Sequence, residues 1–272
     1  MSSIIHFTAL LVLLLLVCHS EGFHESASES AHVVTLRPDG SLVPTTSEGC
    51  DCEVPALDAP KQESDRLPSP PHSPFARIGY AAPEFTMEGV APNGEFQSYS
   101  LEEFRGRYVV LVAYPLDWTF VCPTELLAFS DMAAEFETEN AVLLAYSVDS
   151  VYSHLAWIRT ARKEGGLGGS LTLPLLSDLN KQVSQRYGAL LSDSGHTMRA
   201  LYIIDERGTL RHMTLQDAPV GRSAAEVLRL VKAFRFSDHS NEVCPAGWNK
   251  PGDATIVPDP EKARAYFETV NA

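Results

Sequence analysis

Tyr108-Val-Val-Leu-Val-Ala-Tyr114 is an unbroken apolar run closed by Pro115, the pattern of a strand buried on both faces. Such a strand needs a layer of structure on each side, so its neighbours in sequence must supply helices and further strands. They do. Leu126, Leu127, Phe129, Met132, Ala133 and Phe136 recur at helical spacing, Ala141 to Val148 reads as a second buried strand, and Ser153 to Lys163 as a second helix. Upstream, Pro92-Asn93-Gly94 signals a turn, and Ser100-Leu101-Glu102-Glu103 reads as a capping box opening a short helix. After the glycine-rich break Gly165 to Gly169, Asn180 to Tyr187 fits another helix. Ala200 to Asp205 and Thr209 to Leu215 form a hairpin across Glu206-Arg207-Gly208, and Ser223 to Phe236 closes the domain. The expected class is α/β, with a central mixed sheet flanked by helices and a C-terminal extension. That extension, 237–272, begins polar and ends in a short helix from Pro260 to Val270.

The chain before Ala76 is of another kind. Glu21 to Phe75 holds ten acidic residues against Arg37, Lys61 and Arg66, with eight Pro and eight Ser. Such a segment cannot easily sustain a helix or bury a core, and 21–75 is expected to be a mostly disordered arm. Ahead of it, Ala9 to Cys18 is a ten-residue apolar run. A spanning helix needs about 20 residues and a secretory h-region about 7 to 15, so 1–20 is expected to be a cleaved signal peptide rather than an anchor. Ser20 and Gly22 offer cleavage positions, although the n-region has only His6 and no Lys or Arg. The remainder, 76–236, is one domain's length.

Charge narrows the partners. With 21 Lys+Arg against 35 Asp+Glu the net charge is −14, which disfavours nucleic acid and anionic membrane surfaces. Entry to the secretory pathway also changes what cysteines mean, since disulfides persist there. The mature chain would keep Cys50, Cys52, Cys122 and Cys244, too scattered for a small stapled domain. Zinc is not expected, because Cys50-Asp51-Cys52 lacks ligand spacing and no His pair sits nearby. No cofactor is implied, and no Asn-x-Ser/Thr sequon occurs.

Chemistry concentrates in Pro115-Leu-Asp-Trp-Thr119-Phe-Val-Cys122-Pro123-Thr124-Glu125. Pro123 suits the first helical position, which puts Cys122 at or beside the N-cap, where unpaired N–H groups and the positive dipole end favour thiolate. A lone internal Cys is just as compatible with a small buried hydrophobe, and these residues alone leave both readings open.

This undecapeptide resembles the active-site motif of typical two-cysteine peroxiredoxins, which often have Phe where Trp118 stands. Glu242-Val243-Cys244-Pro245-Ala246-Gly247-Trp248 resembles that family's resolving-cysteine segment, and Gly165-Gly-Leu-Gly168 and Tyr266-Phe267 match two elements of its easily over-oxidised members. The likeness runs from about Ala81 to the C-terminus. It implies a thioredoxin-like fold in which Cys122 is the peroxidatic nucleophile and Cys244 of a partner subunit the resolving thiol. It also implies a homodimer assembling into a ring, a decamer in form, hydroperoxide substrates, and reduction by thioredoxin-like proteins or protein disulfide isomerases. In the family the terminal helix packs over the active site and slows disulfide formation, leaving the sulfenic acid open to more peroxide. Secretory members carry an arm cysteine that links dimers. Here Cys50 and Cys52 both stand in the arm, so the pairing is open, as is residence in the endoplasmic reticulum lumen against secretion. A second functional class also stays open, a holdase or peroxide relay.

The resemblance assigns further roles. Thr119 offers a hydroxyl, Pro115 shields the site from water, and Arg199 matches the catalytic arginine, with Ala200 where Gly is usual. Glu125 either orients that arginine or caps the helix at N3. Arg199 is equally compatible with a surface strand charge, Thr119 with a hydroxyl bonded to nearby backbone, and Tyr266 and Phe267 with the apolar face of a terminal helix. Val243 and Trp248 are expected to anchor the Cys244 segment to a partner. Lowering a thiol's pKa from about 8.5 to about 6 raises its thiolate fraction about 30-fold at pH 7, yet the weaker nucleophile loses roughly 13-fold of that. Fast peroxide reduction must therefore come mainly from donors that stabilise charge on the departing oxygen.

Overall fold

The computed structural model describes residues 73–272 and, before them, two short strands, β1 (Val34–Leu36) and β2 (Leu42–Pro44), which pair antiparallel. The chain divides into two compact units, Met1–Leu57 and Asp58–Ala272. The expected signal peptide and most of the expected arm, with Cys50 and Cys52, lie outside the described residues.

The second unit is built on a seven-stranded mixed sheet. Its strands are β3 (Thr86–Val90), β4 (Phe96–Ser100), β5 (Tyr108–Ala113), β6 (Ala141–Ser147), β7 (Leu175–Ser177), β8 (Arg199–Ile204) and β9 (Leu210–Gln216). Their order is β4-β3-β7-β6-β5-β8-β9. β5 pairs parallel with β6 and antiparallel with β8, so its apolar run lies inside the sheet. All six of its residues are buried.

Alternation along β5 builds two cores, because successive side chains leave opposite faces of a strand. Tyr108, Val110 and Val112 join Leu126, Phe129, Phe136, Trp157, Val227 and Val231 on one face. Val109, Leu111 and Ala113 join Leu144, Leu176, Val183, Tyr187 and Tyr202 on the other. The first face is covered by α1 (Cys122–Asp131), α2 (Ala133–Thr138), α3 (Val151–Arg159) and α5 (Ala224–His239), and the second receives α4 (Gln182–Arg186). This is the expected α/β architecture, a thioredoxin-like mixed sheet between helices, with α6 (Ala263–Val270) in the C-terminal extension. No described helix is long and apolar enough to cross a membrane.

Several expectations need correction. The helix after β5 breaks at Met132 (φ −101°, ψ 9°), yet the apolar spacing continues because one non-helical residue leaves the phase nearly intact. Ser100 makes no side-chain cap, so Leu101–Phe104 is a 3₁₀ turn without a capping box. α3 begins two residues earlier than expected, since Ser150 accepts a hydrogen bond from Ser153 N, and it stops at extended Thr160. α5 runs to His239, so the boundary expected at 236 falls inside a helix.

Candidate active site

The loop between β5 and α1 is held from below by a buried polar network. Asp117 accepts from the Tyr114 hydroxyl at 2.8 Å and the Ser153 hydroxyl at 2.7 Å, and pairs with His154 Nδ1 at 2.9 Å. Its backbone N–H donates to Asp149 at 2.9 Å. Trp118 follows with φ of 58°, a conformation costly for a bulky residue. The sharp turn it makes brings the chain to Cys122.

Cys122 is the first helical residue of α1, with Val121 as N-cap and Pro123 second. Its side chain is fully buried among core neighbours, which alone would fit an inert thiol. One of those neighbours is charged, because Arg199 Nη1 lies 3.4 Å from Sγ. Register explains the approach: β8 pairs with β5 through Ala113↔Ala200, which sets Arg199 beside the end of β5, where the loop to α1 begins. Arg199 is therefore no surface strand charge; it is 3% exposed.

Glu125, one helical turn beyond Cys122 and on the same face, accepts from Arg199 Nη1 at 2.7 Å. Its position is the fourth of α1 rather than the third, so it is not an N3 cap. It also accepts from Arg222 Nε at 2.8 Å, Nη2 at 2.9 Å and backbone N at 2.6 Å. Burial pushes the Glu125 carboxyl up, but the hydrogen bonds and charge of Arg222, helped by Arg199, outweigh it and hold the group below its ordinary value.

Arg222 was not foreseen. Its Nη1 donates to the carbonyls of Ala113 and Ala200, tying the site to the two central strands. In Pro219-Val-Gly-Arg-Ser223 nothing marks this arginine, because a charge just before a helix cap reads as a solvated one.

The other expected residues are placed as follows. Pro115 is buried at the start of the loop. Thr119 is half-buried, and its hydroxyl donates to Leu116 O at 2.9 Å, so it is a loop hydroxyl bonded to backbone with its lone pairs left to accept. Cys244 lies against α5 of its own chain, Sγ 3.7 Å from Ala233 O, and both Cys122 and Cys244 are free thiols. Burial pushes the Cys244 thiol up more than Arg229 pulls it down. Trp248, 2% exposed, is packed on Phe236 of α5. The anchor expected to reach a partner is thus used within the chain. α6 buries none of its residues, and Tyr266 and Phe267 contact each other edge to face.

The Cys122, Glu125, Arg199 and Arg222 cluster gathers two guanidiniums around one carboxylate, leaving a positive charge beside sulfur. That arrangement can stabilise negative charge on Sγ and on an oxygen bound next to it.

Residues 78–213 match the AhpC/TSA family, and residues 233–269 match the C-terminal domain of 1-Cys peroxiredoxin. Over 201 residues the chain is 54% identical to Peroxiredoxin-4 of Rattus norvegicus, covering 74% of this chain and 72% of that one. It is 54% identical to a peroxiredoxin of Cynops pyrrhogaster over 197 residues, 72% of this chain and 98% of the relative. The reduced 2-Cys peroxiredoxin of Plasmodium vivax superposes with a TM-score of 0.68 at 38% identity, covering 70% of this chain and 98% of that one. A buried cysteine at a helix start, gripped by an arginine that the sheet register fixes, therefore belongs to a known lineage: the chain is a member of the peroxiredoxin (AhpC/TSA) family, a thiol-dependent peroxidase.

Proposed function

We propose that Cys122 is the sulfur that attacks the peroxide, on hydrogen peroxide and small organic hydroperoxides. Sγ attacks the nearer peroxide oxygen, the S–O bond forms as the O–O bond breaks, and water or alcohol leaves with a proton. Sulfur is oxidised to sulfenic acid and the peroxide is reduced. The observation that carries this reading is the 3.4 Å contact between Arg199 Nη1 and Sγ, made by a guanidinium that shares Glu125 with Arg222. Glu125 and Arg222 position Arg199; Arg199 stabilises charge at sulfur and on the leaving oxygen. Pro115 and the buried walls limit water, and Thr119 contributes a lone pair to a donor on the substrate.

In the second step the Cys244 thiolate of a partner subunit attacks the sulfenic sulfur, an S–S bond forms and water departs. A fully buried Sγ cannot approach a second sulfur to about 2.05 Å without movement, so this step requires the first turn of α1 to unwind. A thioredoxin-like protein or a protein disulfide isomerase then reduces the disulfide. An artifactual octamer is described for a Plasmodium yoelii peroxiredoxin modified at its N-terminus. For this chain the reading is a homodimer assembling into a decameric ring in the secretory pathway, as the 54% likeness to Peroxiredoxin-4 supports.

The test is Cys122→Ser, assayed for peroxide consumption in the presence of a thiol reductant. Turnover is expected to fall to the uncatalysed level, and a variant consuming peroxide at the parental rate overturns the assignment.

A further inference from the structure

Two parallel neighbours in the sheet send their helices to opposite faces. β6 ends at Ser147 and leads into α3, whose Trp157 and Ile158 pack in the first core. β7 ends at Ser177 and leads into α4, whose Val183 packs in the second. Ser147 and Ser177 are paired, so both strands stop at one level. Chains that part in this way leave a crevice beyond the carboxyl ends of the strands, where open α/β sheets take up ligands. Here the crevice is a cavity of about 560 Å³, walled by the first turn of α3, the connection from β7 to α4, α4 itself and the facing stretch of β3. That volume falls inside the range of about 300–1,000 Å³ usual for small-molecule sites. Cys122, Glu125, Arg199 and Arg222 do not line it, so it is a place apart from the catalytic cluster.

The lining joins apolar surface to a few open donors. Met87 and Val183, both buried, supply the apolar part, and exposed Tyr152 and Leu179 add an aromatic ring and an isobutyl group. Arg186 is the cation of the lining. Its Nε donates to Gln182 O at 3.3 Å and its Nη1 to Glu84 O at 2.8 Å, which leaves Nη2 to donate elsewhere. Asn180 spends only Oδ1, accepting from Gln182 N at 3.1 Å, so its amide N–H groups are also open. Two carboxylates line the same cavity. Asp178 is engaged by Val183 N and by the backbone and hydroxyl of Ser184. Glu88 of β3 is not engaged in an ion pair among the described residues, and it sets one negative charge in the wall.

We propose that this crevice is a binding site for a small amphipathic carboxylate. Arg186 Nη2 and the Asn180 amide donate to the two carboxylate oxygens, and the apolar body lies on Met87, Val183, Leu179 and the ring of Tyr152. The N–H groups of Val151 and Tyr152, the first two of α3, have no partner within the helix and add a favourable field for an anion. Glu88 decides the charge of the occupant. A single carboxylate is balanced by Arg186, whereas the second charge of a phosphate monoester is set against Glu88. An occupant of about a dozen non-hydrogen atoms held in this way is expected to bind with a Kd of about 10⁻⁴ M. The proposal rests on the crevice alone and not on the roles assigned to Cys122 and Cys244.

The experiment uses the full mature chain and three probes of one skeleton, 4-phenylbutyrate, 4-phenylbutan-1-ol and 4-phenylbutyl phosphate, titrated by calorimetry. One acid per chain should bind, with the alcohol and the phosphate at least about tenfold weaker, the scale of one charge-assisted hydrogen bond. Arg186→Gln should bring the acid down to the affinity of the alcohol and leave the alcohol within about twofold. Glu88→Gln should tighten the acid about threefold and the phosphate about tenfold, and it serves if the first variant does not fold. Leu179→Ala should weaken acid and alcohol alike, by about fivefold. Saturating acid should leave the rate of peroxide consumption within about twofold. Acid that competes with peroxide is bound at Cys122 and overturns the proposal. So does acid that binds no better than the alcohol, or that is indifferent to both charge variants. A phosphate that binds the parent chain more tightly than the acid overturns the chemical class.

Discussion

Glu125 ties the site together, because one carboxylate receives two guanidiniums and a backbone N–H. Glu125→Gln removes the charge but keeps the shape, leaving two cations buried side by side. We expect kcat/KM for peroxide to fall about 10²-fold, the scale of losing one preorganised electrostatic contact, and stability to fall by about 3–5 kcal/mol, the cost of breaking a buried pair. Steady-state peroxide consumption and urea unfolding check the two numbers. The pH dependence has a definite sign. A carboxyl held low in the folded state contributes stability that is complete above its unfolded value, about 4.3, and is lost as pH falls through the lower folded value. The Gln variant should therefore lose less stability than the parent between about pH 4.3 and the acid transition. Cys122, Arg199 and Glu125 were legible because they stand in, or align with, short motifs. Arg222 was not, since what defines it is a pair of strand-end carbonyls more than 20 residues away along the chain.

At the level of elements, the long apolar strands and amphipathic helices were readable and the short pieces were not. β7 is three residues between Pro174 and Asp178, too brief for any period to show. The β3–β4 hairpin was marked only by its Pro92-Asn93-Gly94 turn, because the β4 burial pattern is mostly exposed. α4, five residues long, cannot be stable by propensity alone. Its support is Asp178, 1% exposed, which accepts from Val183 N at 3.0 Å and from the backbone and hydroxyl of Ser184 at 2.6 Å each. Asp178→Ala leaves those donors without partners. It should cost about 3 kcal/mol or more, seen as a lower urea midpoint at unchanged slope, with peroxide turnover per folded molecule retained.

On the scale of the whole molecule, α5 is the strut between sheet and tail. Near its C-terminal end Asp238 receives the Tyr108 hydroxyl of β5 and both contacts of Arg211 from β9. On its outer side it carries the docked Cys244 segment. Cys50 and Cys52, one of which is expected to link dimers covalently, lie outside the described residues. Single Cys50→Ser and Cys52→Ser variants run on non-reducing gels should show which thiol joins dimers: the variant lacking it loses the disulfide-linked species beyond the dimer while keeping the Cys122–Cys244 dimer.

The pairing of Ala113 with Ala200 sets Arg199 at the end of a strand ladder, beside the point where the chain leaves β5 for Cys122. The place of the guanidinium is inherited from the central sheet, the kind of region best protected in a fold, and the sulfur meets it through the braced loop that ends β5. Sequence drift at the periphery can therefore remodel partners, address and assembly while the reacting distance stays constant, so one chemistry can be carried into many cellular settings.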